Sequence, residues 1–240
     1  MKYWAFFWII FFTISSFPHP LVSINLSTNK PFQGDAIWVK INTSKQLKSG
    51  HIKLGKKRFK LFNKNKSKNE LLSCIGISRY LKPKSTRLKF TFTFTDNSQY
   101  QTSLPIEIKN ANFKKEHIKL KPRKYKLSQD KTSRSNENQI IGKKFRVISK
   151  KKKYAGPFIW PVKGRFTSEF GTQRVYNNKP GWKHSGIDIS ASRGAPIKAA
   201  QNGKIILAKP LKVHGNTVMI DHGMGIISIK NDLDKIKVIN

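Results

Sequence analysis

Arg87 to Thr95 read RLKFTFTFT. Apolar and polar residues alternate without a break. In an extended chain this puts Leu88, Phe90, Phe92 and Phe94 on one face and Lys89 with the threonines on the other. Period two of this kind marks a strand with one buried side, whereas a helix would scatter the same residues around its circumference. Asp96-Asn97-Ser98 supplies turn residues, and Tyr100 to Ile108 (YQTSLPIEI) can return as the antiparallel partner. Pro105 has no N–H to give to a ladder, so it places that partner at a sheet edge.

Working outward, Val22 to Leu26 alternates, Pro31 and Gly34-Asp35 interrupt, and Ile37 to Ile41 resumes. Regularly spaced short strands over residues 21–110 predict an immunoglobulin-like β-sandwich, a module that binds, spaces or shields more often than it catalyses. The single cysteine, Cys74, excludes an intramolecular disulfide framework and any cysteine-cluster zinc site.

The N-terminal end carries a different signal. Met1-Lys2-Tyr3 precedes the apolar run Trp4 to Ile14 (WAFFWIIFFTI) and then Ser15-Ser16. A positive start, a short apolar stretch and small residues predict a signal peptide or uncleaved membrane anchor over residues 1–17. The remainder is therefore expected in the periplasm or cell envelope. Charge supports an anionic partner, since 48 Lys+Arg stand against 12 Asp+Glu in 240 residues, a net +36. Residues 157–240 hold 13 basic and 5 acidic side chains, so most of the excess lies in the first 156. Nucleic acid is disfavoured: there is no base-reading helix, zinc finger or aromatic-basic platform. For an exported chain, anionic envelope polymers or lipid headgroups are the expected counterparts.

Residues 111–156 read as a basic linker. Lys114-Lys115, the Ser/Asn-rich stretch Ser128 to Asn138 and Lys150 to Lys153 dominate it, with a short helix conceivable around Asn138 to Ile148.

From Pro157 onward the residues carry chemistry. Trp182-Lys183-His184-Ser185-Gly186-Ile187-Asp188-Ile189 places an imidazole and a carboxylate at i and i+4, on one face of an extended segment, with Gly186 between them expected to relieve crowding. Zinc accepts both ligand types, and a catalytic zinc usually has three protein ligands plus water. Taken alone, the pair reads by default as a surface His–carboxylate hydrogen bond. Asn202-Gly203 predicts a hairpin turn, and Gly215 to Gly225 (GNTVMIDHGMG) leads into a final apolar strand. These elements predict an all-β, antiparallel domain over residues 157–240.

The ordered set Trp160-Pro161-Val162, Thr167-Ser168-Glu169-Phe170-Gly171, His184-Ser185-Gly186-Ile187-Asp188, Gly194-Ala195-Pro196-Ile197, Gly215-Asn216-Thr217-Val218 and Ile220-Asp221-His222-Gly223 resembles the LytM/lysostaphin-type zinc metallopeptidases. The resemblance spans about Pro157 to Leu233, and the preceding sandwich looks like an N-terminal module that some members carry. It implies a single zinc, hydrolysis of peptide cross-links in peptidoglycan, and His184 and Asp188 as zinc ligands. It also implies a Tyr-x-His-Leu motif after the Asp-His-Gly turn and a later His-x-His. Here the first of these reads Lys230-Asn231-Asp232-Leu233, and Asn240 is reached before the second. The expectation is a truncated metallopeptidase-like domain that has no assigned catalytic residue, binds zinc weakly or not at all, and is inactive as a peptidase. The alternative is a non-catalytic envelope protein that binds peptidoglycan or regulates a cell-wall hydrolase. A lipoyl- or biotinyl-type carrier is discounted for want of its modified lysine. His214 and His222 are expected at the surface.

Overall fold

The computed structural model describes residues 21–64, 68–147 and 149–237. The leader expected over residues 1–17 lies outside the described residues. Among those described, no helix is long and apolar enough to cross a membrane.

Eight strands form the first body: β1 (Val22–Leu26), β2 (Ala36–Thr43), β3 (Leu47–Leu54), β4 (Lys57–Lys60), β5 (Phe62–Asn63), β6 (Glu70–Gly76), β7 (Lys84–Phe94) and β8 (Gln99–Ile108). They pair antiparallel into two four-stranded sheets, β1-β2-β6-β5 and β4-β3-β7-β8. This is the immunoglobulin arrangement, in which the first, second, fifth and sixth strands face the rest. Alternation drives the closure. Leu88, Phe90, Phe92 and Phe94 from β7 are 0–1% exposed and meet Ile37, Val39 and Ile41 from β2, all at 0%. The Phe90 and Phe92 rings stack at 6.3 Å. Pro105 sits on the edge strand β8, opposite Arg87.

Residues 111–156 differ from the expected linker. They contain β9 (Lys115–Ile118), α1 (Pro122–Ser128) and α2 (Lys131–Phe145). The helix covers much of the Ser/Asn-rich stretch because Asp130 caps it, accepting hydrogen bonds from the Ser133 amide and hydroxyl at 2.9 and 2.8 Å. Lys143 and Lys144 in the last turn complement the helix dipole. Only Glu137 and Ile141 of α2 are buried, so an apolar-periodicity search had little to find.

The C-terminal body comprises β10 (Arg165–Ser168), β11 (Gln173–Tyr176), β12 (Lys179–Lys183), β13 (Asp188–Ser190), β14 (Lys204–Leu211), β15 (Gly215–Gly223) and β16 (Ile226–Leu233). Pairing is antiparallel throughout except that β9 adds to β11 in parallel, giving the order β12-β11-β9. The expected hairpin at Asn202-Gly203 does not form; those residues only lead into β14. A tight turn occurs instead at Met224-Gly225 between β15 and β16, with φ of 54° and 79°, the left-handed pair that suits the twist of flanking strands. Gly223 is required beside it: φ is 87°, and an added Cβ would lie 2.1 Å from the Lys151 carbonyl oxygen.

Phe92→Ala should cost the sandwich roughly 3–5 kcal/mol, because the vacated space is lined by other core side chains. Lys89→Ala on the outer face should stay within about 0.5 kcal/mol. Urea unfolding of the two variants checks the face assignment.

Candidate functional site

His184 follows β12 and Asp188 opens β13, with a bend between them in place of one extended segment. The bend still brings the side chains together, with His184 Nε2 and Asp188 Oδ1 3.1 Å apart. Gly186 does not relieve crowding as expected, since an added Cβ there would meet nothing within 4 Å. The other ring nitrogen, Nδ1, lies 3.0 Å from the Glu169 carbonyl oxygen. A carbonyl can only accept, so Nδ1 carries a hydrogen and donates it. The neutral ring then turns the Nε2 lone pair toward a carboxylate oxygen. That meeting is favourable only with a positive charge between them, either a proton on Nε2 or a cation.

Asp188 has a second partner. Its Oδ2 accepts a hydrogen bond from the Arg174 guanidinium on β11. Glu116 on β9 stands 3.9 Å from Arg174 Nε and accepts from the Ser168 hydroxyl at 3.1 Å. Asp232, at the position where the resemblance implies histidine, folds its carboxylate back beside Gly215. Lost hydration, and then the nearby Asp188 charge, push the Asp232 carboxyl above the usual carboxylate range.

These residues therefore match zinc chemistry at two corners only. Among the described residues, no group of three His, Cys, Asp or Glu could hold a metal ion. A catalytic zinc needs a third protein ligand and an open position for water. The His184–Asp188 pair could contact a divalent cation, but the set does not fit a catalytic centre.

His214 and His222, expected at the surface, are both engaged. His222 is 0% exposed; its Nδ1 donates to the Asn202 carbonyl at 2.7 Å, and its Nε2 lies 2.8 Å from the Ser228 hydroxyl. Its neighbour Asp221, 1% exposed, accepts from Ser149, Lys153 and the Gly223 amide. The Ile-Asp-His-Gly motif is thus a structural anchor for residues 149–153, and sequence spacing alone carried no sign of that burial. His214 Nδ1 pairs with Glu137 Oε2 at 2.6 Å, while the Val213 and His214 amides donate to the same carboxylate. Glu137 is how α2 is fastened to the β14–β15 connection. No sequence pattern announced it, because the partners lie more than 70 residues apart.

Burial opposes ionisation of Glu137, but the His214 and backbone hydrogen bonds outweigh it and hold the carboxyl below its usual range. A depressed carboxyl stabilises the fold above its unfolded pKa, and the contribution is lost as pH falls through the lower, folded value. Glu137→Ala should cost about 2–3 kcal/mol at pH 7, since it strands buried donors. Urea unfolding of the parent and Glu137→Gln should show a gap at neutral pH that persists to about pH 4 and closes in stronger acid.

Comparison with known proteins locates this geometry. Residues 182–240 match the family described as "Peptidase family M23". The Escherichia coli murein hydrolase activator EnvC is 36% identical over 74 residues, 31% of this chain and 17% of that protein. Outer membrane antigenic lipoprotein B of Haemophilus influenzae is 36% identical over 80 residues, 33% of this chain and 18% of that one. The cell division protein DipM of Caulobacter vibrioides is 31% identical over 71 residues, 29% of this chain and 11% of that protein. The matched segment thus spans less than a fifth of each of these relatives. A crystal structure from Pseudomonas aeruginosa, described as a candidate M23 peptidase, superposes with a TM-score of 0.58 over 88% of this chain and 77% of that one, at 22% identity, which speaks to fold. The stretch holding His184 and Asp188 is thus an M23-type peptidase segment of the LytM/lysostaphin kind, within an all-β chain whose fold follows that of an M23 candidate.

Proposed function

We propose that this chain is an envelope protein directed at peptidoglycan, and that its M23-type region engages murein without cutting it. One observation carries the second half: Asp188 is bonded by Arg174 and faced by His184, with no third donor grouped with them among the described residues. Hydrolysis by such a site would need a water acidified to a pKa of about 7 and a base placed to receive its proton. Asp232, where the resemblance implies histidine, is shorter than an imidazole and has its carboxylate folded back beside Gly215. What the residues can do is bind. His184 and Asp188 form a fixed polar pair, flanked by the Arg174 guanidinium bonded to Asp188 and by the Lys183 ammonium, which donates to the Arg79 carbonyl.

The name of one relative, a murein hydrolase activator, supports a murein-directed role that does not require this segment to cut, and another relative is named a cell division protein. The expected export of the chain is compatible with relatives named as lipoproteins.

Three measurements test the proposal on the purified protein. Zinc content after dialysis should fall well below one equivalent, a murein zymogram should show no clearing, and the protein should sediment with insoluble peptidoglycan. Stoichiometric zinc that resists chelation, or clearing lost in His184→Ala, would overturn the non-catalytic assignment. Failure to sediment would overturn the murein one.

A further inference from the structure

A second site lies along α2, largely outside the M23-type segment. A groove of about 750 Å³ runs between this helix and Trp182, within the size range of small-ligand sites. Lys131, Arg134, Asn138, Lys143 and Arg146 line the groove together with Trp182. Lys131, Arg134 and Asn138 follow one another at steps of three and four and share a helical face, and Lys143 and Arg146 stand more than a turn further along. No carboxylate lines it. The two acids nearest in sequence are turned to other partners, Asp130 to Ser133 and Lys212, and Glu137 to His214. Lys131 with Arg134, and Lys143 with Arg146, are like-charge neighbours at a spacing of three, which opposes the helix, so the cations of the groove await a counter-charge from outside.

The groove has two further features. Arg134 lies over the Trp182 ring at 4.7 Å, which fixes a guanidinium beside the aromatic surface. Trp182 is 48% exposed, offering an amphipathic aromatic surface beside the Asn138 amide. A flat apolar surface next to a planar donor–acceptor group suits a sugar ring, with a C–H face for the indole and vicinal hydroxyls for the amide. A nucleic-acid strand would call for successive aromatic platforms, and the groove has one.

We infer that the α2–Trp182 groove binds an anionic oligosaccharide, its carboxylates or phosphates met by Arg134 near Trp182 and by Arg146 about 18 Å further along the helix, with one sugar ring set against Trp182. The site is separate from the His184–Asp188 pair, and sedimentation with murein can hold or fail independently of it.

Calorimetric titration of the full chain tests this with four probes: tetragalacturonate, its neutral methyl ester, a phosphorylated mannose tetrasaccharide, and a single-stranded tetranucleotide. Tetragalacturonate or the phosphorylated sugar should bind, and the tighter of the two names the source of the anion. The neutral ester should be at least about tenfold weaker, as should either acidic sugar on the Arg134→Gln/Arg146→Gln variant, given what a charged hydrogen bond contributes. Lys131→Gln/Lys143→Gln, at exposed positions where folding is not at stake, should weaken binding in the same direction. Lys56→Gln/Lys57→Gln on the sandwich removes the same charge and should change nothing. Equal binding of the neutral ester, equal weakening by the sandwich variant, or tighter binding of the tetranucleotide would overturn the inference.

Discussion

The Asp188 carboxylate is the point on which this C-terminal region turns. Three separate elements converge on it: β13 supplies the acid, β11 supplies Arg174, and the bend after β12 supplies His184. A carboxylate that is partly desolvated needs partners for both oxygens, and here Arg174 bonds one while the His184 ring nitrogen faces the other. In a metal centre one of those partners would be the cation. Here the guanidinium takes one oxygen, and the imidazole, already committed through Nδ1 to the Glu169 carbonyl, needs a positive charge before it can satisfy the other. The arrangement keeps the geometry of a two-ligand half-site, with the guanidinium supplying part of its charge balance from within the chain.

That balance accounts for what surrounds it. Arg174 is wedged between Asp188 and Glu116, and Glu116 comes from β9, a strand that joins β11 in parallel from outside the expected domain. The segment between sandwich and peptidase-like region is therefore part of the site's framework. It supplies an acid on one side of Arg174 and, through α2 and Glu137, a clamp on the β14–β15 connection whose far end borders Asp232.

The legible parts of the sequence were those governed by local repetition. RLKFTFTFT declared β7 and its buried face because period two has one physical solution, and Pro105 declared an edge because a missing N–H has few other places to go. His184 and Asp188 were legible as a pair, although the chain achieves their approach by a bend that i and i+4 counting did not foresee. The illegible parts depend on partners remote in sequence. α2 looked like a solvated tract because its stability comes from a cap at Asp130 and a carboxylate bonded across 77 residues to His214. His222 looked like a surface turn residue because nothing adjacent in sequence shows that Asn202 and Ser228 close over it.

The same distinction bears on the charge excess. A net +36 invites a single electrostatic explanation, yet the structure divides the basic residues by what holds them. Lys45, Lys109 and Lys114 each have an acid at 2.6–2.9 Å on the surface, pairs worth little individually. Arg174 and Lys153 are drawn into buried or half-buried carboxylates and serve the fold. The α2 face belongs to neither group: its cations are held at fixed spacing by a rigid helix, and the acids that could have neutralised them are spent fastening that helix down. Charge organised in this way lines a single groove, so a ligand lying along it would meet each cation in turn, whereas the same number spread over a sandwich would be screened from one another beyond about 8–10 Å.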